Sequence, residues 1–211
     1  MIQTKRRGLM WFRHDLRTED NAALHYLASE VDELLCVFVV DPRWFKSSHY
    51  QSRHMGDYRW QFLKESLLDL QTQLAAKGQR LTVLTGTSVS TLADLIARHH
   101  ITHVAANFHP ATYERQQWKR IQSQCPHTQF QQFEGVCLFD QTQLPFELDD
   151  LPNHFTPFRK KVESLVVPDV LPSPTRLPKP WSHKEQQLTI ITEESVNDFI
   201  GGSQAALAQI T

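Results

Sequence analysis

Side chains able to do chemistry gather in two short stretches of this sequence. The first, Trp11-Phe12-Arg13-His14-Asp15-Leu16-Arg17-Thr18-Glu19-Asp20-Asn21, sets two arginines, a histidine and three acids directly after an apolar run. Such a set can hold a ligand, or it can satisfy itself, with Asp15 paired to Arg13 or Arg17 and Asp20 capping the helix that follows. The second, Asn107-Phe108-His109-Pro110-Ala111-Thr112-Tyr113-Glu114-Arg115, also follows an apolar run and opens a helix. A carboxylate there can accept hydrogen bonds from an amino-heterocycle, while a neighbouring aromatic ring supplies a flat stacking surface. Glu114 is equally able to pair with Arg115 or with a lysine one turn on.

Other chemistries find less support. With only 7 glycines the chain has no GxGxxG and no GxxxxGK[ST], so the usual backbone cradles for pyrophosphate and triphosphate are absent. His54, His99, His100, His103, His109 and His127 read as surface histidines rather than metal ligands, since no other ligand lies at helical spacing from the His99-His100 pair. Ser47-Ser48 and Ser88 lack a GxSxG context for a hydrolase nucleophile. Cys36, Cys125 and Cys137 are too widely spaced for a structural zinc site and imply no disulfide framework, which suits a reduced, cytoplasmic protein. The basic triplet Arg159-Lys160-Lys161 could meet phosphates, but it reads better as the solvated side of an amphipathic helix.

The elements that must position these residues follow from periodicity. Gly8 to Phe12, Leu34 to Val40, Leu81 to Leu84 and His103 to Phe108 are near-continuous apolar runs, as expected of strands buried on both faces, and Phe130 to Phe133 is a weaker fifth. Helical stretches alternate with them. Asn21 to Ser29 follows Asp20; Met55 to Lys77 carries Leu63, Leu67, Leu70 and Leu74 in one stripe and closes at Gly78; a third begins at Ser90 or Thr91; a fourth follows Pro110. This βα alternation predicts an α/β fold, a doubly wound parallel five-stranded sheet of Rossmann-like type, whose strand ends place both reactive stretches at the carboxyl edge. From Leu144 to Trp181 prolines become frequent, which predicts a wandering proline-rich extension broken by one helix capped by Thr156, with Pro157 in its first position. Another helical pattern starts in Leu188 to Thr211.

The chain has 211 residues, 40% of them hydrophobic, and 22 basic against 23 acidic side chains give a net charge of −1. That balance excludes a general electrostatic grip on nucleic acid or an acidic membrane. The five weakly apolar residues before Arg13 are too few for a signal peptide or a membrane span.

Several blocks together resemble the photolyase/cryptochrome family, and within it the cryptochrome DASH branch. Trp11 to Arg17 continuing to Asp20-Asn21-Ala22-Ala23-Leu24 is similar to the opening signature WFRxDLRxxDNxAL. Asp41-Pro42, Arg59, Phe62-Leu63 and Glu65-Ser66-Leu67 match the next block, and Asp140 to Glu163 points to the DASH branch. Gly201-Gly202-Ser203 resembles the start of the family's large helical domain, with Ser203 where an acid is commoner.

The resemblance implies an antenna domain at 1–143, and at 144–211 an interdomain linker and the start of a helical FAD-binding domain that lies beyond the chain. On that reading no catalytic residue falls in these residues, and FAD, the electron-transfer tryptophans and the DNA-lesion pocket belong to the full-length protein alone. The intact protein would be a deoxyribodipyrimidine photo-lyase, splitting cyclobutane pyrimidine dimers, in single-stranded DNA by preference, with blue light. What remains here is half of an antenna site for methenyltetrahydrofolate, held weakly, with Glu114 as the pterin-contacting glutamate and Tyr113 beside it. The alternatives are a stand-alone nucleotide-binding module, which the lack of a glycine-rich loop argues against, and a signalling module docking through residues 144–181. Apolar residues near the absent domain, Phe155, Phe158, Leu165, Phe199 and Ile200, are expected to favour self-association.

Overall fold

A computed structural model describes residues 5–47, 49–181, 188–190 and 199–210. Strands β1 (Arg7–Trp11), β2 (Glu33–Val40), β3 (Leu81–Thr85), β4 (His103–Asn107) and β5 (Gln129–Phe133) form a parallel sheet in the order β3-β2-β1-β4-β5. Helices α1 (Ala22–Glu30), α2 (Asp57–Ala76), α3 (Ser88–His99) and α4 (Thr112–Gln124) connect them in turn. The expected doubly wound α/β sheet is therefore present.

Period-two alternation sends each strand's side chains to two separate cores. From β1 and β2, Met10, Phe12, Leu34, Cys36, Phe38 and Val40 pack on α1 and α2, meeting Leu24, Leu27, Leu67, Leu70 and Leu74. Leu9, Trp11, Leu35, Val37 and Val39 face the other way and pack on α3 and α4 through Leu92, Leu95, Trp118 and Ile121. Both faces being covered explains why the inner strands read as unbroken apolar runs. Strand β5 lies at the edge, and its glutamines are mostly exposed, which accounts for its weak signal.

Three helix starts differ from expectation. Asp20 does not cap α1: it sits in the left-handed region at φ 47°, and Asn21 caps instead, its side chain accepting from the Leu24 N–H. Helix α3 begins after Thr87, ahead of Ser90 and Thr91. Helix α5 (Phe155–Val162) begins after His154, so Pro157 takes its third position, where a backbone N–H still lacks an intrahelical partner and its loss costs little.

The tail does more than wander. Lys179–Pro180 adds a short strand β6 beside the start of β2, just below β3. Proline is tolerated there because the pairing is two residues long at an edge. Along the way Leu171 accepts from the Asp20 N–H, Lys77 donates to the Pro174 carbonyl, and the Arg7 guanidinium lies 3.8 Å over the Trp181 ring. Of the pattern expected over Leu188 to Thr211, only α6 (Ser203–Ile210) is helical within the described residues. Residues 191–198 and Thr211 lie outside them, and the Leu188 N–H donates to the Val83 carbonyl. Gly201 and Gly202 lead into α6 against α2, where a Cβ on Gly201 would lie 2.1 Å from the Phe62 carbonyl oxygen and Gly202 takes φ +114°. Only glycine fits both demands. Gly201 and Ser203 then donate backbone N–H bonds to Glu65 and Asp69 of α2.

Candidate functional site

Strand β1 lies between β2 and β4, so the chain's crossovers diverge on either side of it and a crevice opens at the carboxyl ends of β1 and β4. The loops after those strands are locked together by a buried polar knot. Asp15, 4% exposed, accepts from the Arg13 N–H at 3.0 Å and from the Asn107 amide at 2.7 Å. Asn107 also donates to Asn21 at 3.1 Å and accepts from the Ala23 N–H at 3.2 Å. The result is a satisfied network that fixes the entrance of α1 against the end of β4.

Above the knot lies a cavity of about 900 Å³, within the usual size range of small-molecule sites. Its walls come from three β–α loops: Arg13, His14 and Arg17 after β1; Arg43 and Trp44 after β2; Tyr113, Glu114 and Gln117 at the start of α4. Met55 and Phe62 of the α2 region, together with Gly202 and Ser203, close another side. Arg43 is gripped by the carboxylate of buried Asp41 and donates to the Tyr113 hydroxyl at 2.8 Å, which ties the second loop to the fourth.

Polar atoms here are not all satisfied. The Oε1 of Glu114 lies 3.1 Å from His14 Nε2, while its Oε2 is buried with no hydrogen-bond partner among the described residues. The same holds for Nη1 of Arg13, whose other terminal nitrogen donates to the Asn107 carbonyl. Burial pushes the Glu114 carboxyl up, but the hydrogen bonds from its own backbone N–H and from His14 hold it below the ordinary carboxylate range. Burial lowers Arg13, against the opposing pull of Asp15 and Glu114. An ionised carboxylate with a free lone pair can therefore accept an N–H from a ligand, as can the free Arg13 nitrogen donate to an oxygen.

The two stretches singled out from sequence do meet at this crevice. Glu114 pairs with His14 rather than with Arg115 or a lysine, and Tyr113, 47% exposed, stands beside it on the wall. The first stretch divides: Asp15 and Asn21 belong to the knot, Arg17 bonds Asp20 and the Gly135 carbonyl, and Arg13 and His14 face the cavity. Three of the histidines are not on the surface as expected, His99 being partly covered against Trp181. His103 is buried on β4 beside Thr102, and His109 is largely covered and lies against His14, the rings tilted by 36° with centroids 4.5 Å apart. Arg43, Trp44 and Met55 were not foreseen as lining residues; their one signal is Asp41-Pro42 at the carboxyl end of β2. The Arg159 triplet lies on exposed α5, with Arg159 paired to Glu163 at 3.3 Å.

The fold is a doubly wound α/β domain with an aromatic and basic cavity at its switch point, the place where open α/β sheets usually seat their ligands. Residues 8–179 match the family model for DNA photolyase, and the chain belongs to that family. It is 41% identical over 212 residues to the cryptochrome DASH of Idiomarina loihiensis, covering 98% of this chain and 46% of that protein. A crystal structure of a Synechocystis sp. PCC6803 cryptochrome superposes with a TM-score of 0.87 at 27% identity, over 100% of this chain and 46% of the other. The Sulfolobus tokodaii photolyase, described with two FAD molecules, has the same fold, with a TM-score of 0.76 at 23% identity over 96% of this chain and 45% of its own. The chain thus spans about half the length of the relatives it matches. Among the described residues no helix is long and apolar enough to cross a membrane.

Proposed function

We propose that this chain is the light-harvesting part of a DASH cryptochrome or photolyase, and that its cavity holds an absorbing heterocycle of the methenyltetrahydrofolate class. The observation that carries the reading is the unpartnered, buried Oε2 of ionised Glu114 on the wall of an aromatic-lined cavity. Glu114 accepts N–H groups from the pigment's amino-heterocycle, the Tyr113 ring gives it a flat neighbour, and Arg43 holds that ring in place through the Tyr113 hydroxyl. The bound pigment supplies light absorption. The protein's task is to fix its distance and orientation while the polar knot keeps the crevice rigid, and no bond is made or broken.

On this reading 1–143 is the antenna unit, and 144–211 leads toward a helical domain that binds FAD and receives DNA. The whole protein repairs cyclobutane pyrimidine dimers in single-stranded DNA with blue light. Affinity for the folate in this chain alone is weak, because the residues that complete the pocket belong to the helical domain. The Sulfolobus tokodaii photolyase, described with two FAD molecules, is a precedent for a second pigment in a photolyase. Mixing the chain with methenyltetrahydrofolate should shift the pigment's near-ultraviolet band, and Glu114→Ala should abolish the shift. A band unmoved by the wild-type chain, or moved equally by the variant, overturns the assignment.

A further inference from the structure

Beside the cavity, His14, His109 and Glu114 form a cluster that the pigment reading uses only in part. His14 lies on the loop after β1, His109 on the loop after β4 and Glu114 in the first turn of α4, and one ligand atom from each lies within 4.8 Å of the other two. His14 Nε2 is 3.1 Å from Glu114 Oε1, and His109 Nδ1 is 3.7 Å from Glu114 Oε2. From these positions we propose that the trio binds a divalent transition-metal ion of the zinc class.

The donor set is two imidazoles and a carboxylate, the kind that suits zinc and its first-row neighbours and resembles the three-ligand sets that leave a fourth position open. A tetrahedral ion with bonds of about 2.1 Å needs donors about 3.4 Å apart, so the cluster, whose ligand atoms lie within 4.8 Å of one another, has to contract by at most about 1.4 Å at its widest edge. His14 can supply that movement, since its side chain is 51% exposed. His109 Nδ1 accepts a 3.2 Å hydrogen bond from the Ala111 N–H, so this nitrogen carries a lone pair and not a proton. The metal displaces that bond, and exposed Ala111 turns to water.

Charge also permits it. The Arg13 guanidinium feels the charge of two acids, Asp15 and Glu114, so one cation is shared between two carboxylates and an added cation at Glu114 is tolerated. Glu114 and His14 line the cavity, so the open coordination position faces the space where a ligand sits. Bound there, the ion clamps the loop after β1 to the loop after β4. It also competes with the pigment for the carboxylate.

The inference shares Glu114 with the proposed function, so the test reads the metal and the pigment separately. Titrating the chain with Co²⁺ in chelator-free buffer should give visible ligand-field bands that saturate at one equivalent and that Zn²⁺ bleaches. His14→Ala and His109→Ala should each weaken Co²⁺ binding about tenfold or more, with the far-ultraviolet circular dichroism unchanged. His127→Ala, at an exposed histidine remote in sequence from the cluster, should not alter it. Bands that never saturate, or that survive both cluster variants, overturn the metal site. Pigment binding without metal binding defeats this inference alone, and metal binding without pigment defeats only the antenna reading.

Discussion

Two polar clusters stand side by side at the crest of the sheet, and they differ in one respect. In the knot of Asp15, Asn21 and Asn107 the buried side-chain groups are matched within the chain; in the cluster of Arg13, His14, His109 and Glu114 two buried atoms are left without a hydrogen bond. Leaving a buried polar atom unmatched costs about 1–3 kcal/mol, so a fold retains one chiefly where something else comes to meet it. The satisfied cluster builds the site and the unsatisfied one serves it.

The sharpest way to test that division is to remove a member of each. Asn107→Ala strips the amide from Asp15 and Asn21 and the acceptor from the Ala23 N–H, all in a buried setting. It should destabilise the chain by about 2–4 kcal/mol in urea unfolding. Glu114→Gln should change stability by no more than about 0.5 kcal/mol while weakening pigment binding about tenfold or more, the loss expected of a hydrogen bond to a charged acceptor. If the two variants lose stability equally, the contrast between the clusters fails.

A milder perturbation comes from pH. Burial raises the Asp41 carboxyl, but the hydrogen bonds and charge of Arg43 outweigh it and hold the group below its ordinary value in the folded chain. A carboxyl lowered on folding contributes stability that is fully present above its unfolded value, near pH 4, and is lost as pH falls through the folded value. Acid unfolding should therefore set in at higher pH for wild type than for Asp41→Asn, measured relative to each protein's stability at pH 7. Because Arg43 also holds Tyr113, the same acid step should loosen the pigment wall.

The smallest effect concerns association. Phe155 is 74% exposed, Phe199 73% and Ile200 56%, whereas Phe158 and Leu165 are half-buried, so the exposed patch is smaller than their apolar stripe implies. Wild type should show a weak concentration-dependent increase in sedimentation coefficient that Phe155→Ser with Phe199→Ser reduces. A concentration-independent monomer in both proteins removes the patch as an interface.

Much of this was legible from residue order. The inner strands announce themselves because burial on both faces forces continuous apolar runs, and the α2 stripe of Leu63, Leu67, Leu70 and Leu74 marks its buried side. Helix starts were less legible, since Asp20 and Asn21 are both good caps and only the left-handed turn at Asp20 decides between them. Strand β6 was hidden, because two residues ending in proline carry no strand pattern. Both reactive stretches could be placed at the carboxyl edge, yet Asp15 meets Asn107 across 92 residues and His14 meets Glu114 across 100. No local pattern encodes which partner each acid takes. Arg43 and Trp44 escaped notice because their role depends on β2 lying next to β1.

The most direct test of the central claim is where the pigment touches the chain. Amide chemical-shift mapping on the labelled protein, titrated with methenyltetrahydrofolate, should move the resonances of His14, Arg43, Tyr113, Glu114 and Gln117 together along one saturable curve. Shifts confined to residues 144–181, or to the opposite, amino-terminal edge of the sheet around Arg7 and Glu33, would contradict a pigment seated in the crevice.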